Sequence, residues 1–346
     1  MSVYEDFMEK KKLDPVNDKV QIPITHLPLF RTEIAIQAGV EKNLLFRTWG
    51  GLGDQICAEP TLRYALQAFK DCEISLASEQ PELFGHLKFE RVFNLKQERP
   101  IYENYFVFET ITPPDDSNLV WQFFSHMLVH CVDFPSMCAL RSQLPNADKE
   151  LKIVPERTGL KFENLSQVIA DRLATEKCVV VHPGRHWQSK TFPKLWWDLV
   201  LHDIFAQGVT PVLIGADTDD NRGTVDVFTG DCIDLRNKLT VMETIYLLQH
   251  SKVLLTNDSA PLHMAATGDA WIGFVATCKH PDYISHWRKG EFSWRMKNFG
   301  KGGIWDVIDH CPNRASEVSA EAVDPELLKS WLPDPKEFAE WAVSKT

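Results

Sequence analysis

Short apolar runs alternate along this chain with longer stretches in which apolar residues recur every three or four positions. Residues 43–49, Asn-Leu-Leu-Phe-Arg-Thr-Trp, form the first run, and its length suits a buried strand better than a helix. Gly50-Gly-Leu-Gly53 makes a tight turn. From Asp54 onward Ile56, Ala58, Leu62, Ala65, Leu66 and Phe69 take helical spacing. Cys72 to Ala77 predicts a second strand, so the chain opens β-turn-α-β, the start of a parallel sheet. Further strands are expected at 91–95 and 105–108, with a helix near 117–132.

Between 141 and 160 the chain turns polar and breaks at Pro145, Pro155 and Gly159, the composition of a linker. Alternation then restarts. Cys178 to His182 predicts a strand, and Pro193 to Gln207 a helix that proline opens and Gly208 ends. Residues 209–214 predict a strand, and Thr240-Val-Met-Glu243 is a capping box for a helix to His250. A strand at 252–257, a short helix from Asp258 closed by Gly268, and a strand at 270–277 complete the series. Two such series predict an α/β protein with two Rossmann-like domains facing across a cleft. The expected divisions are an N-terminal extension over 1–42 packing on the first domain, a first domain over 43–155, a second over 160–318, and a helical tail over 319–346. The last helix, 335–344, is expected to pack back on the first domain.

Composition narrows the setting. The 346 residues suffice for two domains of ordinary size, and 44% apolar with 25% charged residues is globular. No apolar run reaches the ~18 residues of a membrane span, and the first residues lack the pattern of a signal peptide. A cytoplasmic protein is expected. Eight scattered cysteines without a C-x-x-C pair fit free, mostly buried thiols. His126, His130, Cys131 and Cys138 form a local cluster, but Trp121, Phe124 and Leu128 on the same predicted helix favour core or solvated histidines, so no metal site is assigned. The net charge of −11 disfavours nonspecific attraction to nucleic acid or anionic membranes, though it leaves room for a local basic patch.

Ligands in such sheets bind at the carboxyl ends of strands, which directs attention to three turns. At the first, Gly50, Gly51 and Gly53 allow close approach of a ligand to the backbone. Asp54 there is either an N-cap satisfying free amides or a general base taking a proton from an acceptor hydroxyl. The second turn runs from His182 to Pro193. Arg185 and Lys190 can neutralise a diphosphate, with Ser189 and Thr191 as hydrogen-bond donors. At the third, Asn257-Asp258-Ser259-Ala260-Pro261-Leu262-His263, a helix start offers free amides and a favourable dipole to negative charge. Asp258 there accepts from sugar hydroxyls or caps the helix, and His263 is a ligand-facing donor or a packed histidine.

A strand followed by G-G-L-G-D, then H-P-G-x(5)-K-x-F-P, then N-D-S-A-P-x-H-x-A-A, spread over 43–277, resembles glycosyltransferase family 9, the ADP-heptose:lipopolysaccharide heptosyltransferases. The resemblance implies a GT-B fold and an inverting transfer of sugar from a nucleotide-diphosphate donor, with no cofactor and no metal required. By position it makes Asp54 the catalytic base and Lys190 the ligand of the donor phosphates. It makes Asp258 and the amides from Ser259 to Leu262 the loop that holds donor sugar and diphosphate. The implied acceptor is a saccharide or glycolipid. Ala260 stands where the family commonly has glycine, a mild change unless that backbone is left-handed.

Residues 286–303 depart from the resemblance. Arg288, Lys289, Arg295, Lys297 and Lys301 against Glu291 make a local +4, interleaved with Trp287, Phe292, Trp294 and Phe299. Such a pattern can grip phosphates and stack bases, which admits a DNA acceptor carrying hydroxymethylated bases. It is equally the pattern of a folded loop with solvated charges. A sugar-nucleotide-binding protein or an epimerase on the same scaffold is the remaining alternative.

Overall fold

A computed structural model describes residues 43–48, 50–69, 72–110, 148–155, 165–185, 187–217, 223–230, 232–304 and 323–346. The expected N-terminal extension, the helix near 117–132 with its His/Cys cluster, and most of the linker lie outside the described residues.

The first sheet has four parallel strands: β1 (Asn43–Thr48), β2 (Glu73–Ser78), β3 (Val92–Asn94) and β4 (Phe106–Thr110), in the order β3-β2-β1-β4. Each crossover departs from a strand's carboxyl end, and the order reverses beside β1. Two short helices follow β1, α1 (Leu52–Cys57) and α2 (Glu59–Ala68), and Pro60 sits in the first turn of the second, where its missing N–H is harmless.

The second sheet has six parallel strands: β5 (Cys178–His182), β7 (Thr210–Leu213), β9 (Ile233–Asp234), β10 (Val253–Asn257), β11 (Trp271–Val275) and β14 (Met296–Asn298). Their order is β14-β11-β10-β5-β7-β9. Counted within the sheet this is 3-2-1-4-5-6 read from the other edge, the doubly wound dinucleotide-binding order. Its strands read as continuous β-branched and leucine-rich runs, as they must when both faces are covered. Two-residue strands β6 (Gly184–Arg185) and β8 (Gly223–Thr224) pair beside it, as do β12 (Trp287–Arg288) and β13 (Glu291–Phe292).

Helices α3 (Gln167–Thr175), α4 (Lys194–Ala206), α5 (Val241–His250), α6 (Ala260–Ala265) and α7 (Pro281–Ile284) connect these strands. The Thr240 capping box forms: its hydroxyl accepts from Glu243 N–H at 3.2 Å, and the Glu243 carboxylate accepts from Thr240 N–H at 2.8 Å. At the chain's end lie α8 (Pro325–Trp331) and α9 (Pro335–Val343). The expected packing of this tail on the first domain is overturned. Phe338 lies 5.6 Å from Trp196 of α4, Trp196 Nε1 donates to the Pro333 carbonyl at 2.9 Å, and Trp341 packs over Gly273 of β11. The second sheet's outer face is broad and apolar, and this amphipathic helix covers it.

The two sheets are not independent bodies of packing. One apolar cluster includes Ile56, Cys57 and Leu62 from the first region and Leu262, Met264, Ala265 and Ile284 from the second. Helix α1 lies against α6 across this seam.

Candidate active site

The turn after β1 is built around the Asp54 carboxylate. Gly50 has φ +98°, which a side-chain-bearing residue rarely adopts, and a Cβ there would also stand 3.0 Å from Asp54 Oδ2. Gly51, not Asp54, is the N-cap of α1. Asp54 is the third helical residue and reaches back to accept from Gly51 N–H at 2.9 Å. The N-cap reading of Asp54 is thus replaced: its carboxylate caps the Gly51 N–H, the acid half of a capping box whose other half a glycine cannot supply. One oxygen, Oδ2, is held by this amide. Burial pushes the Asp54 carboxyl above its ordinary value. The Gly51 amide and Lys190 pull the other way, and Asp258 adds to the rise.

At Gly53 the two regions touch closely. A Cβ there would meet His263 Cδ2 at 2.7 Å, so only glycine lets α1 sit on α6 with this imidazole between them.

In the second sheet, β5 and β10 flank the point where strand order reverses, and their carboxyl ends carry His182 and Asn257. Asn257 Nδ2 donates to the Gly184 carbonyl at 3.0 Å and to the Lys190 carbonyl at 2.6 Å, tying the 182–193 turn to β10. Lys190 Nζ then reaches Asp258 Oδ2 at 2.6 Å, and both side chains are buried. It also lies 4.7 Å over the Trp187 ring. Burial penalises both charges, but each protects the other: Asp258 is held below the ordinary carboxylate value and Lys190 above the ordinary ammonium value. The charge of Lys190 is also felt at Asp54. The carboxylate of the first sheet and the cation of the second therefore share one locality.

Sequence reasoning assigned no role to His182, yet it organises this loop. Its Nδ1 lies 3.2 Å from Thr256 Oγ1 and 3.1 Å from Ser259 Oγ, and burial pushes its pKa down to about 4, so the ring is neutral. Ser259 is the N-cap residue of α6, without a side-chain cap bond. Pro261 has no N–H and the Leu262 N–H is taken by the Ser259 carbonyl at 3.0 Å. Of the expected amides from Ser259 to Leu262, those of Ser259 and Ala260 have no hydrogen-bond partner among the described residues. Ala260 begins the helix and is not among the positive-φ residues, so glycine is not required there. His263 is buried, as a packed histidine, with its pKa pushed by burial to about 4.

The other donor-site candidates diverge. Ser189 is fully buried, and its carbonyl accepts from the Thr277 hydroxyl. Arg185 and Thr191 line a groove of about 370 Å³ shared with Gln188, Phe192, Leu328 and Lys329, and neither Asp54, Lys190 nor Asp258 lines it. Thr191 Oγ1 donates to the Trp187 carbonyl at 2.9 Å.

The 286–303 segment is a folded loop. Lys289 and Gly290 both have positive φ, as the two-residue hairpin turn between β12 and β13 requires. Arg288 is buried and donates to the carbonyls of Gly268, Ala270 and Trp294, with burial lowering its pKa to about 10. It is therefore a structural side chain. Lys289 pairs with Asp269 at 3.1 Å, Arg295 lies 4.3 Å over Trp294, Lys297 lies 4.2 Å over Phe299, and Trp287 packs on Phe292.

Two doubly wound parallel layouts meeting at their switch points define the GT-B class of fold. The sequence model of glycosyltransferase family 9 (heptosyltransferase) matches residues 96–271, just over half of the chain, and the chain belongs to that family of glycosyltransferases. No curated protein matches it. Among solved structures, a glycosyl transferase of family 9 from Veillonella parvula DSM 2008 aligns over 88% of this chain and 98% of its own, with TM-score 0.54 and 11% identity. TibC from enterotoxigenic E. coli H10407, described as an iron-containing dodecameric glycosyltransferase, aligns over 88% of this chain and 76% of its own, with TM-score 0.58 and 12% identity. At such identities the likeness is one of fold. Among the described residues no helix is long and apolar enough to cross a membrane.

Proposed function

We propose that this glycosyltransferase moves a sugar, with inversion, from an ADP-heptose-like nucleotide-diphosphate donor to a hydroxyl of a saccharide or glycolipid acceptor. The observation that carries the reading is the shared locality of Asp54 and the Lys190–Asp258 pair, one from each sheet. Asp54, with one oxygen held by Gly51 N–H and a carboxyl made more basic by burial, takes the acceptor proton. The oxygen so freed attacks the anomeric carbon from the face opposite the leaving nucleotide. Lys190 and the Ser259 and Ala260 amides stabilise charge growing on the departing diphosphate without a metal ion at the phosphates. Asp258 keeps Lys190 charged and oriented, and accepts from donor sugar hydroxyls. Arg185 and Thr191, on the neighbouring groove, hold more distant parts of the donor.

The division into an acceptor domain over 43–155 and a donor domain over 160–318 belongs to the same reading. The burial of Arg288 removes one of the five cations that motivated a DNA acceptor, which favours the saccharide acceptor. Incubation with ADP-heptose and with other nucleotide sugars, in the presence of candidate acceptors, tests the proposal. Release of nucleoside diphosphate matched by glycosylated acceptor is expected. An Asp54→Asn enzyme that still transfers sugar would remove Asp54 from the base role.

A further inference from the structure

Three side chains that the transfer reaction does not use meet at the seam beneath the site. Cys57 ends α1, His263 lies in α6, and His286 directly precedes β12. All are buried, at 0%, 4% and 0% exposure. Cys57 Sγ lies 3.4 Å from His263 Nδ1, and that nitrogen lies 2.7 Å from His286 Nε2. One donor atom from each residue lies within 4.8 Å of the other two, and no other His, Cys, Asp and Glu grouping of three comes so close among the described residues.

The three donor atoms are near enough to close on one small ion, though they do not all stand at ligand spacing in the absence of one. Metal–sulfur bonds near 2.3 Å and metal–nitrogen bonds near 2.0–2.1 Å place tetrahedral donors roughly 3.3–3.6 Å apart, so the 3.4 Å sulfur–nitrogen contact already suits an ion, whereas the 2.7 Å imidazole–imidazole hydrogen bond must open for both rings to turn onto it. As a purely hydrogen-bonded set the trio is awkward, because the single Nδ1 of His263 faces both a thiol and a second imidazole. An ion resolves this by giving each donor atom the same partner. The donor set is one thiolate and two neutral imidazoles, which suits zinc-like ions and not the oxygen-seeking magnesium or calcium. Asp54 and Asp258 act on the Cys57 sulfur as negative charges, set against the positive charges of Lys190 at His263 and Arg288 at His286.

We propose that Cys57, His263 and His286 bind a divalent transition-metal ion of the zinc class, which ties α1 of the first region to α6 and the β12 hairpin of the second. On binding, the Cys57 thiol gives its proton to solvent and a sulfur–metal bond forms, while both imidazoles enter as neutral ligands. The site stands whether or not Asp54 is the base, because it makes no use of the transfer chemistry.

The test is cobalt(II) titration of the full-length chain after chelator dialysis, together with metal analysis of protein purified without chelator. One equivalent of cobalt per chain is expected, with a cobalt–thiolate charge-transfer band that zinc displaces. Cys57→Ser removes the band, and His286→Asn weakens binding by roughly tenfold or more. The absence of a saturable band in the unmodified chain overturns the proposal, and so does a band that persists unchanged in Cys57→Ser, because it places the ion on another cysteine. Should both variants fail to fold by circular dichroism, the unmodified chain decides: neither co-purified metal nor saturable cobalt uptake means no site.

Discussion

Two aspartates close enough to feel each other's charge are held in opposite ways. Asp258, on the second sheet, is buried against Lys190 and sits in a mesh that Asn257 and His182 pin from both sides. Asp54, in the helix after the first strand, is half-buried with little compensation: a single amide holds one oxygen, and Lys190, whose charge it feels, is already paired with Asp258. Burial dominates at Asp54 and raises its pKa, whereas pairing dominates at Asp258 and lowers it. The difference separates a charge kept available from a charge kept satisfied, which is the division expected between a base and a binding loop.

The largest effect that sharpens this contrast is on rate. Asp54→Asn keeps the shape and the Gly51 bond but cannot take a proton, so kcat should fall by about 10²–10⁴-fold. Donor affinity, read by calorimetry, should stay near that of the parent. A comparable loss of donor affinity would show Asp54 to be part of the donor site and collapse the distinction.

Next comes the pair. Lys190→Met strands the buried Asp258 carboxylate, and a loss of about 3–5 kcal/mol in denaturant unfolding is expected. Lys190→Met combined with Asp258→Leu should recover most of that stability while remaining inactive, because removing both charges lifts the desolvation cost. If the double variant is no more stable than the single one, Asp258 is supported mainly by something other than Lys190.

A smaller effect is expected at the seam. Gly53→Ala drives a methyl into His263, at 2.7 Å from Cδ2, and should cost about 1–3 kcal/mol in thermal or denaturant unfolding. Placing alanine at Gly208 instead provides a control, since nothing lies within 4 Å of a Cβ there and only its φ of +74° is strained. A Gly53→Ala variant no less stable than the parent would mean that α1 and α6 can separate at little cost.

Much of this was legible in the sequence, for reasons that are local. Strand runs such as Cys178–His182 and the Thr240–Glu243 capping box carry their own conformational instructions, and both form as expected. The three glycine- and proline-marked turns each follow the carboxyl end of a strand. What escaped is what depends on distance in three dimensions. His182 offers no local sign that it will brace Ser259, seventy-seven residues away. The meeting of Cys57, His263 and His286 spans both regions, and no C-x-x-C or His spacing announces it. Arg288 looked like part of a basic surface because charge is countable in sequence, whereas three carbonyls waiting to receive it are not. The tail helix was expected on the first domain, but the apolar face that needed cover belongs to the second.

The finest test of the contrast is the pH dependence of stability, where the two aspartates should pull with opposite sign. A carboxyl whose folded pKa is raised contributes stability that is full below its unfolded pKa, near ~3.9, and is lost as pH rises through the folded value. Asp54 is of this kind. Asp54→Asn should therefore match the parent in strong acid and melt above it at neutral pH, the gap opening as pH climbs past ~3.9. A carboxyl whose folded pKa is lowered contributes stability that is present above its unfolded pKa and is lost as pH falls through the folded value. Asp258 is of that kind, so Asp258→Asn should melt below the parent at neutral pH, with the gap closing only toward acid. Melting curves of the three proteins across this range decide the matter. Two variants whose gaps have the same sign at neutral pH would show that burial and pairing do not divide the two carboxylates as argued. Opposite signs, with Asp54→Asn more stable and inactive, would identify Asp54 as a charge the fold tolerates at a cost in stability for the sake of its chemistry.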